Sequence, residues 1–544
     1  MMRKTIFILS TLLLFATLSS TAQNKPKLVV GIIVDQMRTD YIYRYWDQYS
    51  DNGFKRLVNE GFFCKNAHFG YIPTYTGPGH ASIYTGASPM VHGIIANDWF
   101  DKQLNREVYC SSDETQTAIG IDTESKAGKM APTRMMAPSL GDAIRISNVF
   151  KGKSIGISLK DRGAILPAGH SANAAYWFDY KSGKMISSSY YMTELPKWIK
   201  QFNQEKNADR LSKTEWNPLL AIDQYGASTE DKSKYEAALD GSDDPTFPYD
   251  VAKAIEKKGY YAFAKTPYGN TFLRKFAEQA IINEDLGYDE YTDLLALSFS
   301  STDILGHAYG PQSVEIQDMY LRLDLEIAQL LESLDQRIGK GQYVLFLTAD
   351  HAGAQVPQFL KDHKIPADYF ETKAFVKGLK DRAKEVFSAD SLILSYSNQQ
   401  VFYNHQKMKE MDIPITVMDE LVKNYALAFK GVANVLTTEQ MQHPLPQDNF
   451  SKLAQNGWNP LRSGDAVIQY MPGWMSYGHK GTTHGSSYAY DTHVPLFFFG
   501  FGVNQGVEVN EVDITQIAPT ISIISSIAFP DASNHQPIVG VIKN

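Results

Sequence analysis

Along the 544-residue chain, apolar runs of four to eight residues recur and stop abruptly at polar positions. "KLVVGIIVDQ", "KSIGISLKDR", "DLLALSFSSTD", "QYVLFLTADH" and "HVPLFFFGFG" each predict a strand buried on both faces, the pattern of a parallel sheet. Between them the period lengthens. From Ile316, apolar residues return at Met319, Tyr320, Leu323, Ile327, Leu330, Leu331 and Leu334, which is helical spacing, and Gly339 is a stop signal. "DITQIAPTISIISSI" predicts another helix, from Asp513. Strands alternating with helices predict an α/β fold: a doubly wound, mostly parallel sheet with helices on both faces.

Two stretches interrupt this rhythm. From about 176 to 291 comes a hairpin pattern, "YWFDYKSGKMISSSYY", and then a long polar region. From about 359 to 470 comes a second hairpin pattern, "SLILSYSNQQVFYN", then a helix from Pro414 to Lys430 that Gly431 ends. Both are expected to be insertions capping the carboxyl edge of the sheet, within one domain spanning 23–544. The chain begins "MMRKTIFILSTLLLFATLSSTAQN", with a basic start, a short apolar run and a small-residue site at Ser20-Thr21-Ala22. Residues 1–22 therefore read as a secretory signal peptide cut after Ala22. The run is too short for a membrane span, and Gln23 rather than Cys follows the cut, which argues against a lipid anchor. The expectation is a periplasmic or secreted monomer with no stable membrane anchor.

The net charge of −8 and the absence of any basic stripe argue against a nucleic-acid partner. Cys64 and Cys110 are the only cysteines; they pair only if their geometry permits, and no cysteine cluster suggests a metal site.

Ligands of open α/β sheets bind beyond the carboxyl ends of the strands, so the residues flanking each strand matter most. Asp35 follows the first run, Lys160 and Arg162 the second, Asp303 and His307 the third, and Asp350 and His351 the fourth; His484 lies just before the last. Each alone is unremarkable: Asp303 and His307 could be a helical i, i+4 pair, and Asp35 a turn residue. Three Asp and three His at one edge amount to the donors that two metal ions need, with positions left open for substrate. "YIPTYTGPGHASIYTG" adds hydroxyls at Thr74, Thr76, Ser82 and Thr85. Pro78 suits the start of a short helix and Gly86 its end. On this stretch alone Thr76 is most simply a helix cap, and equally could face an anion at the helix N-terminus.

Taken together, "LVVGIIVDQMR", "YIPTYTGPGHASIYTG", "HGIIANDWFDK", "GISLKDRGAILPAGH", "STDILGHAYGP", "TADHAGA", "KGTTHG" and "DITQIAPT" resemble the alkaline phosphatase superfamily, specifically its PafA-type phosphate-irrepressible periplasmic alkaline phosphatases. The resemblance covers essentially all of 23–544. It implies two Zn²⁺ ions, one held by Asp303, His307 and His484, the other by Asp35, Asp350, His351 and Thr76. It makes Thr76 the nucleophile, passing through a phospho-threonine intermediate, with Asn97, Lys160 and Arg162 binding the phosphoryl oxygens of small phosphate monoesters. The alternative is a nucleotide pyrophosphatase/phosphodiesterase of the same superfamily, whose T-x-P-N-H stretch differs here at Gly79, and which lacks counterparts of Lys160 and Arg162. Sulfatases need Cys or Ser in C/S-x-P-x-R; here those positions read Thr76, Pro78 and His80. His80, His479 and His493 are expected to be structural or exposed.

Overall fold

The structure is a computed structural model describing residues 25–443 and 449–543; the expected signal peptide, 1–22, lies outside the described residues. The apolar runs form β1 (Leu28–Val34), β2 (Phe62–His68), β3 (Ser154–Ser158), β4 (Ala174–Asp179), β5 (Lys184–Ser188), β6 (Asp293–Phe299), β7 (Tyr343–Thr348) and β8 (His493–Gly500). They lie in the order β2-β8-β7-β1-β6-β3-β4-β5, inside an eleven-stranded sheet whose short edge strands include Gly506–Glu508 and Ala118–Ile119. β7, β1, β6, β3 and β4 run parallel, with Leu28 opposite both Tyr343 and Asp293. Every residue of β1, β6 and β7 is buried, as a central strand covered on both faces requires.

Two expectations need correction. β8 pairs antiparallel with β7, so "HVPLFFFGFG" is not a parallel strand. The reversal has a use: it brings the start of β8, and the loop before it, to the carboxyl edge of its neighbours. The hairpin expected to open the first insertion, β4 and β5, extends the main sheet instead, with β4 parallel to β3. Beyond that hairpin, α3 (Pro267–Asn283) packs with the sheet's own helices. The second interruption carries a separate four-stranded antiparallel sheet, from Ile393–Ser397, Gln400–Tyr403, Val432–Thr437 and Ala466–Tyr470, and its own apolar core around Phe375, Leu379, Met418 and Val422.

Three further helices place the chemistry: α1 (Thr76–Thr85), α2 (Asp161–Ala168) and α4 (Ser301–Tyr309). α5 (Val314–Leu334) is the long amphipathic helix; the Ser313 side chain caps it by accepting from the Ile316 N–H, and its apolar stripe is buried. α1 ends at Gly86, in the left-handed conformation that glycine adopts without strain. It lies so close to β7's end that a Cβ on Gly79 would come within 2.2 Å of the Asp350 carbonyl oxygen. Cys64 and Cys110 are both free and buried.

Candidate active site

Asp35 follows β1 directly, and its N–H donates to the Phe299 carbonyl at the end of β6 (3.0 Å). Asp350 and His351 follow β7. α4 starts just after β6 and sets Asp303 and His307 one turn apart. His484 arrives from the loop before β8, and α1 begins with Thr76 itself. The fold thus brings all six metal-type side chains and Thr76 to one edge.

The three histidines share one arrangement. His307 Nδ1 contacts the Thr482 carbonyl (2.8 Å), His351 Nδ1 the Ala352 carbonyl (2.9 Å) and His484 Nδ1 the Thr74 carbonyl (2.7 Å). A carbonyl only accepts, so each Nδ1 carries a proton and Nε2 turns inward. His351 Nε2 lies 3.4 Å from Asp35 Oδ1 and 3.7 Å from Asp350 Oδ2; His307 and His484 Nε2 lie 3.2 and 3.6 Å from Asp303 Oδ1. Burial holds the His351 and His484 pKa values down, so both rings are neutral. For His307 burial is outweighed by Asp303, and its pKa rises.

Neutral Nε2 lone pairs therefore face carboxylate lone pairs. Asp35 Oδ1, Asp350 Oδ2 and His351 Nε2 are buried with no hydrogen-bond partner. Acceptors held against acceptors out of water need positive charge between them. Asp35–Asp350–His351 and Asp303–His351–His484 each offer ligand atoms within 4.8 Å of one another, with His351 common to both. This set of nitrogen and oxygen donors, with Nδ1 anchored by carbonyls, fits divalent cations of the Zn²⁺ kind.

Burial pushes the three carboxyl groups up. Asp35 stays raised, because Asp303 and Asp350 add to burial. Asp303 falls well below the usual range because His307 and Lys160 outweigh burial, and Asp350 falls through His351 and His80. Lys160, the residue before α2, reaches in with Nζ 2.5 Å from Asp35 Oδ2, 2.6 Å from Asp303 Oδ2 and 3.5 Å from Thr76 Oγ1. Arg162 Nη1 donates to the Tyr109 hydroxyl (3.0 Å), Tyr109 donates to Asp161, and Arg162 Nε is buried without a partner.

The Thr76 hydroxyl caps nothing: Tyr75 holds the cap position, Thr76 is the first helical residue, and Pro78 is the third rather than the first. The other hydroxyls are engaged. Thr85 donates to the Ala81 carbonyl (2.8 Å) and Thr74 to the Ser486 carbonyl (3.4 Å). Ser82 pairs with His92 Nε2 (2.9 Å). His80 is fixed between the Thr76 carbonyl (2.8 Å) and Ser298 Oγ (2.9 Å), with Asp350 Oδ2 3.3 Å from its Nδ1. Asn97 Oδ1 accepts from the Gly77 N–H (2.7 Å) inside the first turn of α1, which commits its oxygen and leaves its NH₂ as the donor. A cavity of about 240 Å³ opens beside His484, lined by Tyr75, Tyr396, Tyr470, Trp474 and Tyr490.

Sequence reasoning missed Gln36, Tyr109 and the Thr74 and Thr482 carbonyls. The only signal for Gln36 was its place after Asp35 in "VDQMR".

Known proteins bear on this geometry. A family profile described as type I phosphodiesterase / nucleotide pyrophosphatase matches residues 29–494. The chain belongs to that family, within the alkaline phosphatase superfamily. Among members of the superfamily, alkaline phosphatase PafA of Elizabethkingia meningoseptica is 41% identical over 96% of both chains. Alkaline phosphatase PhoV of Synechococcus elongatus is 40% identical over 95% of this chain and 93% of its own. A Myroides odoratus protein named calcium-transporting ATPase is 44% identical over 97% of both chains. The crystal structure of wild-type PafA superposes with a TM-score of 0.92 at 40% identity, covering 95% of this chain and 99% of that one.

Proposed function

We propose that this chain is a metal-dependent phosphate monoester hydrolase of the alkaline phosphatase type. The observation that carries the reading is Lys160 Nζ, 3.5 Å from the Thr76 hydroxyl beside two groups of carboxylate and imidazole donors. Full-length similarity to PafA and PhoV supports it.

In this reading Asp303, His307 and His484 hold one Zn²⁺, and Asp35, Asp350, His351 and Thr76 hold the other. When bound, the ions supply Lewis-acid stabilisation of the oxygens that gain negative charge. Thr76 Oγ attacks phosphorus; the Oγ–P bond forms as the bond to the alcohol oxygen breaks, leaving phospho-threonine. Water then attacks the same phosphorus and returns the hydroxyl to Thr76 as inorganic phosphate leaves. The N-terminus of α1 adds positive potential where the phosphoryl group sits. The Asn97 amide donates to one phosphoryl oxygen, and Lys160 and Arg162 bind oxygens that carry charge only in a monoester. The cavity beside His484 leaves room for varied alcohols.

The phosphodiesterase reading is weaker. Gly79 admits no Cβ against Asp350, so an asparagine does not fit there. A diester's second substituent would also meet Lys160. The name of the Myroides relative needs no separate activity, because an enzyme that removes terminal phosphoryl groups also releases phosphate from ATP. Residues 1–22 would direct export to the periplasm or beyond; among the described residues no helix is long and apolar enough to cross a membrane. The deciding experiment compares kcat/KM for an aryl phosphate and its methyl diester on purified, zinc-loaded protein. A preference for the diester overturns the reading.

A further inference from the structure

Gln36 is buried and sits at φ +63°, a left-handed backbone that residues other than glycine adopt only where the surroundings demand it. That turn aims two donors inward. Its backbone N–H meets Asp350 Oδ1 at 3.2 Å, and its side-chain Nε2 meets Asp303 Oδ1 at 2.8 Å. The two carboxylates belong to different donor groups, Asp350 with Asp35 and His351, Asp303 with His351 and His484. The side chain runs in a slot walled by glycines. A Cβ on Gly306 would lie 2.0 Å from Gln36 Oε1, and one on Gly353 would lie 3.1 Å from its Cγ. The molecule therefore keeps two positions free of side chains along the path of one amide.

We propose that Gln36 is a positioning residue that clamps Asp303 and Asp350 at once and so sets the two metal groups relative to each other. A donor on one lone pair of a carboxylate fixes its rotation and leaves its other lone pairs to face an ion. Partners of this kind govern metal affinity without touching the metal. Because Asp350 is held by a backbone N–H, it keeps its donor whatever side chain stands at 36; Asp303 does not. Loss of the amide should therefore loosen the Asp303 group selectively.

The proposal rests on the two-metal reading above, and the test separates the two. Full-length, zinc-loaded wild type and Gln36→Met are titrated with a coloured chelator to give the affinity of each bound ion, and the Tm of each protein is measured with and without zinc. Methionine keeps the length of glutamine in the slot and donates nothing. The expected result is two ions in wild type, with one of them bound about 10- to 100-fold more weakly in Gln36→Met, and an unchanged metal-free Tm. Equal affinities for both ions in the two proteins overturn the clamp. So does a metal-free Tm that falls as far as the zinc-loaded one, which marks a merely structural residue. Wild type that holds no zinc overturns the two-metal reading itself. Should Gln36→Met fail to fold, Gly306→Ala carries the same test, since its Cβ displaces the Gln36 amide within a helix that favours alanine.

Discussion

The ammonium of Lys160 stands 3.5 Å from the hydroxyl of Thr76. Lys160 is sustained by Asp303 and Asp35, whose charges outweigh burial and raise its pKa, so it stays protonated. In the proposed reading, a cation fixed there binds an oxygen of the phosphoryl group that Thr76 attacks. A monoester dianion offers a charged oxygen at that point, and a diester offers a substituent. Arg162 stands on the same turn, held by Tyr109.

Lys160→Ala/Arg162→Ala should therefore lose far more monoester than diester hydrolysis. A hydrogen bond to a charged group contributes about 1.5–3 kcal/mol, so discrimination should fall on the order of a hundred-fold or more. The measurement is kcat/KM for an aryl phosphate and its methyl diester in both proteins. Equal losses would assign the pair to general binding.

Thr76→Ala should lose most activity, while Thr76→Ser retains some, because serine keeps the oxygen and lacks only the methyl. The Thr76 hydroxyl makes no capping bond to the helix backbone, so its removal should leave stability near that of the parent. Acid quenching during turnover, followed by peptide mapping, should place phosphate on Thr76. Label on Ser82 or Thr85 would contradict the assignment.

Asn97→Asp keeps the acceptor for the Gly77 N–H and removes the amide donor. Loss of a donor to a developing oxyanion costs about 2–4 kcal/mol in the transition state. kcat/KM should fall accordingly in Asn97→Ala where chemistry limits the rate, and Asn97→Asp, which also sets a carboxylate against the phosphoryl oxygens, should fall at least as far. Unchanged values in both would remove Asn97 from the site.

The strands and the metal-type residues were legible because each follows, or precedes, an apolar run that ends abruptly. What escaped was direction and second contacts. Nothing in "HVPLFFFGFG" distinguishes an antiparallel strand from a parallel one, since both are buried on two faces; only the pairing of Thr348 with Leu496 shows it. Yet that reversal is what delivers His484 to the site. The carbonyls of Thr74 and Thr482 leave no trace in sequence, because every residue has one. Nor does the place of Ser82 inside a helix show that its hydroxyl pairs with His92, ten residues on, rather than with the helix backbone. The polar continuation of the β4–β5 hairpin reads as an insertion, although the first strand of the hairpin is buried throughout.

Asp142 supports the end of α2, the helix that follows Lys160. Ser139 and Asp142 form a capping box on the helix Leu140–Ser147. Asp142 also accepts from the N–H groups of His170 (3.1 Å) and Ser171 (2.7 Å), just beyond the end of α2, and lies 3.3 Å from His170 Nδ1. These donors outweigh burial and hold the Asp142 carboxyl below its usual range, while the hydrogen bond that His170 donates to Asp142, with burial acting against it, leaves the His170 pKa raised. A lowered carboxyl contributes stability above its unfolded pKa and loses it as pH falls through the folded value. A raised imidazole contributes below its unfolded pKa and loses it as pH rises through the folded value. The two overlap between about pH 4 and 6.5, set by the unfolded values. Asp142→Asn should therefore lower Tm most within that window. The difference from wild type should shrink towards more acid pH, as Asp142 protonates, and shrink partly above neutrality, as His170 loses its proton while the backbone bonds remain. Thermal melts of zinc-loaded protein across the pH range check this, and a Tm difference flat from pH 4 to 9 would show that the Asp142–His170 pair contributes nothing to the fold.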